Sequence, residues 1–102
     1  MRTAARVDKN QVAIVAELRA LGMDVDHVHQ VKNLYDLVVT GIPADYHRPV
    51  SLRVEVKSPG GKLTEGEADF WDKQRHTGNL IIAYSAEDVL RWFGRIDDET
   101  HS

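Results

Sequence analysis

The sequence predicts an α/β fold: one domain with a mixed central sheet and flanking helices, in the order αβββαβα. Two segments carry apolar residues at helical spacing behind capping-box residues, which predicts amphipathic helices. Between them lie runs rich in β-branched residues and bounded by turn formers, which predict strands. A short unbroken apolar run, NLIIAYS, comes after the second helix. A strand reached through a helix in this way returns parallel to the one it left, by a right-handed crossover.

Asp8 and Gln11 make the first capping-box pattern. Val12, Val15, Leu18 and Leu21, with Ile14 beside them, give an apolar stripe that predicts a helix over 9–21, ended by Gly22. In MDVDHVHQ, alternation sets Val25, His27 and His29 on one face and Asp24, Asp26, Val28 and Gln30 on the other. NLYDLVVTG predicts a strand over 34–40 closed by Gly41. A third strand is expected over 50–57 after the polar loop IPADYHRP, and the nearness of the two runs suggests an antiparallel hairpin with a long turn. In LTEGEADFWDKQRHTG, Thr64 and Glu67 form another capping box, Phe70 and Trp71 supply the apolar side, and Gly78 stops the helix. NLIIAYS is expected to be buried on both faces. Ser85 is expected to cap a last helix, AEDVLRWF, closed by Gly94.

At 102 residues the chain is large enough for one modest core, so a single domain over 1–96 is expected, with an acidic, disordered tail at 97–102. Its 42% hydrophobic and 28% charged residues are those of an ordinary globular protein. No apolar run approaches the ~18 residues a membrane-spanning helix needs. The opening MRTAARVDKN lacks the apolar stretch of a secretory signal. Without cysteine there is no disulfide framework and no thiolate zinc site, which makes the cytoplasm the expected location. The net charge of −3 argues only mildly against a nucleic-acid partner, because without Asp97, Asp98 and Glu99 the body is neutral. Arg2, Arg6 and Lys9 cluster at the other end.

The chemistry-bearing residues fall on two of the predicted strands. In LRVEVKSPGG, alternation puts Leu52, Val54 and Val56 on one face and Arg53, Glu55 and Lys57 on the other, the pattern of a strand with one wet face. Asp36 changes its meaning. It is set in an apolar strand, with Leu34 and Val38 as same-face neighbours and Tyr35, Leu37 and Val39 opposite, where a carboxylate loses solvation unless something compensates it. In an antiparallel hairpin Asp36 and Glu55 face each other, close enough to share one hard cation. Carboxylates, a backbone carbonyl and retained waters suit Mg2+ or Mn2+. Lys57 lands on the same face as Glu55, one pleat on, where an ammonium can hold an attacking water or stabilise charge on a phosphate. Gly60 and Gly61 leave room for a DNA backbone to come close. The competing reading is a buried Asp36 satisfied by Lys57 or backbone donors, with no metal.

This arrangement of an Asp in LYDLVVTG, an E-x-K strand in LRVEVKSPGGKLT and a helix opening with Leu63-Thr64 and an acid three residues on resembles the PD-(D/E)XK nuclease superfamily. The likeness is nearest to its small phage-type VRR-NUC domains, relatives of Holliday junction resolvases, and it runs from Asp8 to Phe93. It implies a restriction-endonuclease-like core and Mg2+-dependent endonuclease activity on DNA, structure-selective toward branched forms or Holliday junctions. It implies that Asp36, Glu55 and the Val56 carbonyl bind the metal and that Lys57 assists the attacking water. Gln11 matches a first-helix position where a glutamate is frequent. As a neutral amide it is a poorer ligand, suited to holding a metal-bound water. Tyr35 stands where many members have proline, a difference that shapes backbone rather than chemistry. Lys62, Thr64 and Glu67 would lie beside the site, with Lys62 in reach of DNA, although the capping box already accounts for Thr64 and Glu67. The setting implied is the cytoplasm of a bacterium or phage-infected host. Symmetric cutting of two strands by so small a protomer suggests a homodimer.

Other residues carry less. His27 and His29 share a face but have no third ligand at zinc spacing. Phe70, Trp71, Trp92 and Phe93 are expected in the core or a dimer contact. SPGG lacks the P-loop layout. The rival function is a non-catalytic nucleic-acid-binding or phage assembly module on the same fold. A plain α/β interaction domain is the remaining alternative.

Overall fold

A computed structural model describes residues 9–28 and 35–96. Asp8, His29, Gln30, Leu34 and the acidic tail at 97–102, on which some expectations rest, lie outside the described residues. The predicted order is observed: α1 (Lys9–Ala20), β1 (Asp24–His27), β2 (Leu37–Gly41), β3 (Val50–Val56), α2 (Glu65–Gln74) running into a 3-10 turn (Arg75–Thr77), β4 (Leu80–Ala83) and α3 (Ala86–Trp92). Among the described residues the strands form one four-stranded sheet in the order β1-β2-β3-β4. The first two pairings are antiparallel and β3 to β4 is parallel, so this is a mixed α/β fold.

Helix α1 buries Gln11, Ile14, Val15 and Leu18. That stripe is rotated from the expected one, and Val12 and Leu21 are 58% and 51% exposed. Ile14, Val15 and Leu18 cluster within one helical face, while Val12 points well away from it and Leu21 lies past the helix end. The turn after Ala20 closes with Met23 N donating to Leu18 O at 3.2 Å and Gly22 N to Arg19 O at 3.0 Å. Gly22 takes a φ of +87°, a conformation glycine adopts without strain.

The core lies between one sheet face and two helices. Val25, Leu37, Val39, Leu52, Val54, Val56 and Ala83 from the sheet meet Ile14, Val15 and Leu18 of α1 and Ala86, Val89, Leu90 and Phe93 of the α3 region. The other face, where Arg53, Glu55 and Lys57 project, is covered by α2. This helix has no buried residue, so Phe70 and Trp71, expected to form its core side, are only half-buried. Its capping box is present as predicted, with Glu67 N donating to Thr64 Oγ1 and Thr64 N to Glu67 Oε1.

Three smaller expectations change. Strand β4 is the sheet's edge strand and only Leu80 and Ala83 are buried, because no strand pairs with its outer side among the described residues. Ser85 sits at the N-cap of α3 without a side-chain cap bond; Asp88 instead accepts from Tyr84 N at 2.8 Å. Tyr35 leaves the expected alternation: regular pairing begins at Leu37, and the Tyr35 ring lies 6.0 Å from Phe70 and 5.8 Å from the Arg53 guanidinium, on the α2 side. No helix of the described residues is long and apolar enough to cross a membrane.

Candidate active site

The β2–β3 register ends with Leu37 opposite Val54, so the expected direct pairing of Asp36 with Glu55 is not part of the regular ladder. Asp36 leaves that register: its N donates to Val54 O at 2.9 Å, one residue short of the partner a continued ladder would use, so Asp36 and Leu37 both meet Val54 in a bulge, and Asp36 O accepts from Val28 N at 2.7 Å. Asp36 is therefore held between β1 and β3 by its own main chain. Its carboxylate Oδ2 accepts from Val56 N at 2.8 Å. The Val56 group that meets Asp36 is thus its amide, a backbone donor of the kind the competing reading expects; the carbonyl of Val56 is the metal ligand that the resemblance implies.

Glu55 is only 5% exposed, as buried as the apolar core, and this corrects the expectation of a wet strand face. The cover comes from α2, whose Glu67 is hydrogen-bonded to it. Burial, reinforced by the negative charges of Asp36 and Glu67, pushes the Glu55 carboxyl up to about 8, against the opposing pull of Lys57. At neutral pH Glu55 holds a proton. Glu55 therefore stands between two other acids with one ammonium beside it, and holding a proton there lowers the repulsion.

Lys57 lies just past the end of β3, yet its amide still donates to Ala83 O at 3.0 Å. Its Nζ stands 2.8 Å from Glu67 Oε1 and 3.4 Å from Glu55 Oε2. Burial works against its charge, but the hydrogen bond and charge of Glu67, with Glu55 behind them, hold the ammonium above its ordinary value. Burial likewise works against the Glu67 anion. The Lys57 hydrogen bond and the Thr64 amide outweigh it and keep Glu67 below the usual carboxylate range. Glu67 thus caps α2 and fixes Lys57 at once; the resemblance sets it beside the site, but its bond to Lys57 has no signal in the sequence.

Asn10 is a residue the sequence does not single out. Its Nδ2 donates to Lys57 O at 2.9 Å and to Tyr84 O at 3.0 Å, tying the first turn of α1 to the ends of β3 and β4. Gln11 is 7% exposed, and its amide nitrogen lies 3.2 Å from His27 Nδ1. His27 thus meets an amide of α1, while His29, its expected neighbour on that face, lies outside the described residues. Gly60 and Gly61 come after Lys57 in a tight turn in which Gly61 N donates to Ser58 O at 2.8 Å. Gly60 has a φ of +85°, and a side chain on Gly61 would press to 3.0 Å on that same oxygen. Lys62, just beyond, is exposed.

Among the described residues no three His, Cys, Asp or Glu side chains form a cage for a metal ion. The donor set implied for this site is smaller: two facing carboxylates, a carbonyl and waters, which suits a cation that keeps much of its hydration. Asp36 and Glu55 fit that role, since a cation beside them would relieve the repulsion that keeps Glu55 protonated. Two residues before Glu55, Arg53 braces the same face. It donates to Asn79 O at 3.2 Å, to Gln74 Oε1 at 3.4 Å and to Thr77 Oγ1, fastening the far end of α2.

No family model, curated protein or solved structure matches the chain.

Proposed function

We propose that this chain is a small divalent-cation-dependent nuclease that hydrolyses phosphodiester bonds in DNA, with a restriction-endonuclease-like core of the PD-(D/E)XK kind. The observation that carries the proposal is the meeting of Asp36, Glu55 and Lys57 on one covered sheet face. Burying an acid beside two others is costly, and a bound cation is one thing that would offset it. Asp36 and Glu55 would hold Mg2+ or Mn2+ with the Val56 carbonyl, and Glu55 gives up its proton to do so. A cation bound there supplies two things, a water of lowered pKa and neutralisation of the phosphate. Lys57 Nζ presents its hydrogens to the attacking water and to the charge that develops on the phosphate. Glu67 keeps that ammonium protonated and aimed. Gln11, neutral and bonded to His27, is better suited to holding a water than to binding a cation. The Gly60–Gly61 turn and Lys62 lie next along the chain, where a DNA backbone would approach.

Branched DNA as the preferred substrate and a homodimer as the acting form belong to the same proposal, since one protomer offers one such site. The test is a panel of labelled junction, flap, duplex and single-stranded DNA with Mg2+, Mn2+ or EDTA. Cleavage is expected with either metal, absent with EDTA and absent in Lys57→Ala. DNA binding that needs no metal and leaves no nicks would instead identify a non-catalytic binding module.

A further inference from the structure

We infer that Asn10 is a positioning residue for Lys57, acting through the Lys57 main chain; the inference rests on the nuclease reading of that site. Strand β3 ends at Val56 and β4 at Ala83, so regular pairing stops where Lys57 begins. The Lys57 amide is still held by Ala83 O at 3.0 Å, but its carbonyl has left the ladder. The Asn10 side chain takes over there. An amide nitrogen carries two hydrogens, and Nδ2 donates to two carbonyls, Lys57 O at 2.9 Å and Tyr84 O at 3.0 Å. One side chain thus joins the last carbonyls of both parallel strands and prolongs their pairing by one residue.

The segment after Lys57 gives the pin its purpose. Ser58, Pro59, Gly60 and Gly61 form a turn with two permissive glycines, a stretch that strand pairing does not stiffen against fraying back toward Val56. Asn10 can resist that fraying because α1 is itself anchored, with Ile14, Val15 and Leu18 buried in the core. Both peptide groups of Lys57 are then fixed, one by β4 and one by α1. The side chain leaves the sheet in one direction, which carries Nζ to 2.8 Å from Glu67 and 3.4 Å from Glu55.

The test uses the full chain and reads both cleavage and amide hydrogen exchange. Asn10→Ala is expected to lower kcat about ten- to a hundredfold with little change in KM, since a displacement of an ångström at a reacting group can cost about a hundredfold. Asn10→Ser, which keeps one donor, should recover part of the loss, and it carries the comparison where Asn10→Ala does not fold. In either variant exchange at the Lys57 amide should quicken relative to the Val54 amide. An unchanged Lys57-to-Val54 exchange ratio overturns the inference, as does a loss confined to KM. If the wild-type chain cleaves no DNA, the nuclease reading fails by itself. The exchange ratio then still decides whether Asn10 holds Lys57.

Discussion

Glu55 concentrates the electrostatics of the site in one side chain. Its proton is retained up to about pH 8 in the folded chain, whereas an ordinary glutamate loses it near 4.5. The stability this contributes is fully present below the unfolded value and is lost as pH rises through about 8. Glu55→Gln, which mimics the protonated form, is expected to escape that loss. Thermal midpoints measured from about pH 5 to 9 should shift in favour of Glu55→Gln toward the alkaline end, by on the order of 2 kcal/mol. Parallel curves for the two proteins would show that Glu55 is not strained in the folded state. The same proton makes metal binding pH-dependent: Mg2+ affinity should climb between about pH 6 and 8, with proton uptake by the buffer visible in calorimetry. At this scale Asp36, Glu55 and Lys57 were legible, because a carboxylate in an apolar strand and an E-x-K alternation are local patterns. Asn10 was not, since a bond spanning 47 residues leaves no periodic trace.

Helix α2 is the element on which the site depends without sharing its core. With no buried residue, it is fastened to the sheet by Glu67 on Lys57 at one end and by Arg53 on Gln74 and Thr77 at the other. Such a helix should open locally at lower free energy than the strands beneath it. Thr64→Ala, which removes the cap, is expected to cost about 1 kcal/mol. It should quicken hydrogen exchange over residues 65–77 while β3 stays protected. Equal loss of protection in both would show that α2 and the sheet unfold as one unit. The helix and its capping box were legible from Thr64 and Glu67. Its mode of attachment was not, because Phe70 and Trp71 read as core residues and the polar ties only become visible once α2 lies over Glu55. For the same reason alternation described the face of Glu55 as wet: periodicity says which side a residue is on, not what covers it.

The whole molecule rests on a single layer of apolar side chains between the sheet and α1 with α3. Leu37, Leu52, Val39 and Val54 are each fully buried there, on the strand faces opposite Asp36 and Glu55. Leu52→Ala should therefore cost about 2–5 kcal/mol, a large part of what so small a domain has, and urea unfolding would measure it. The order αβββαβα was legible in full, since helical spacing, alternation and turn residues each repeat over many positions. The edge position of β4 was not, because a short apolar run looks alike in the middle of a sheet and at its side. The core and the site share strands β2 and β3, so the fold places the acids wherever it places the leucines. The most direct test of the central claim is Mg2+-dependent cleavage of labelled DNA by Asp36→Ala beside the wild-type chain, both verified as folded. Cleavage by the wild type alone is the predicted result; equal cleavage by Asp36→Ala would contradict the assignment of the site.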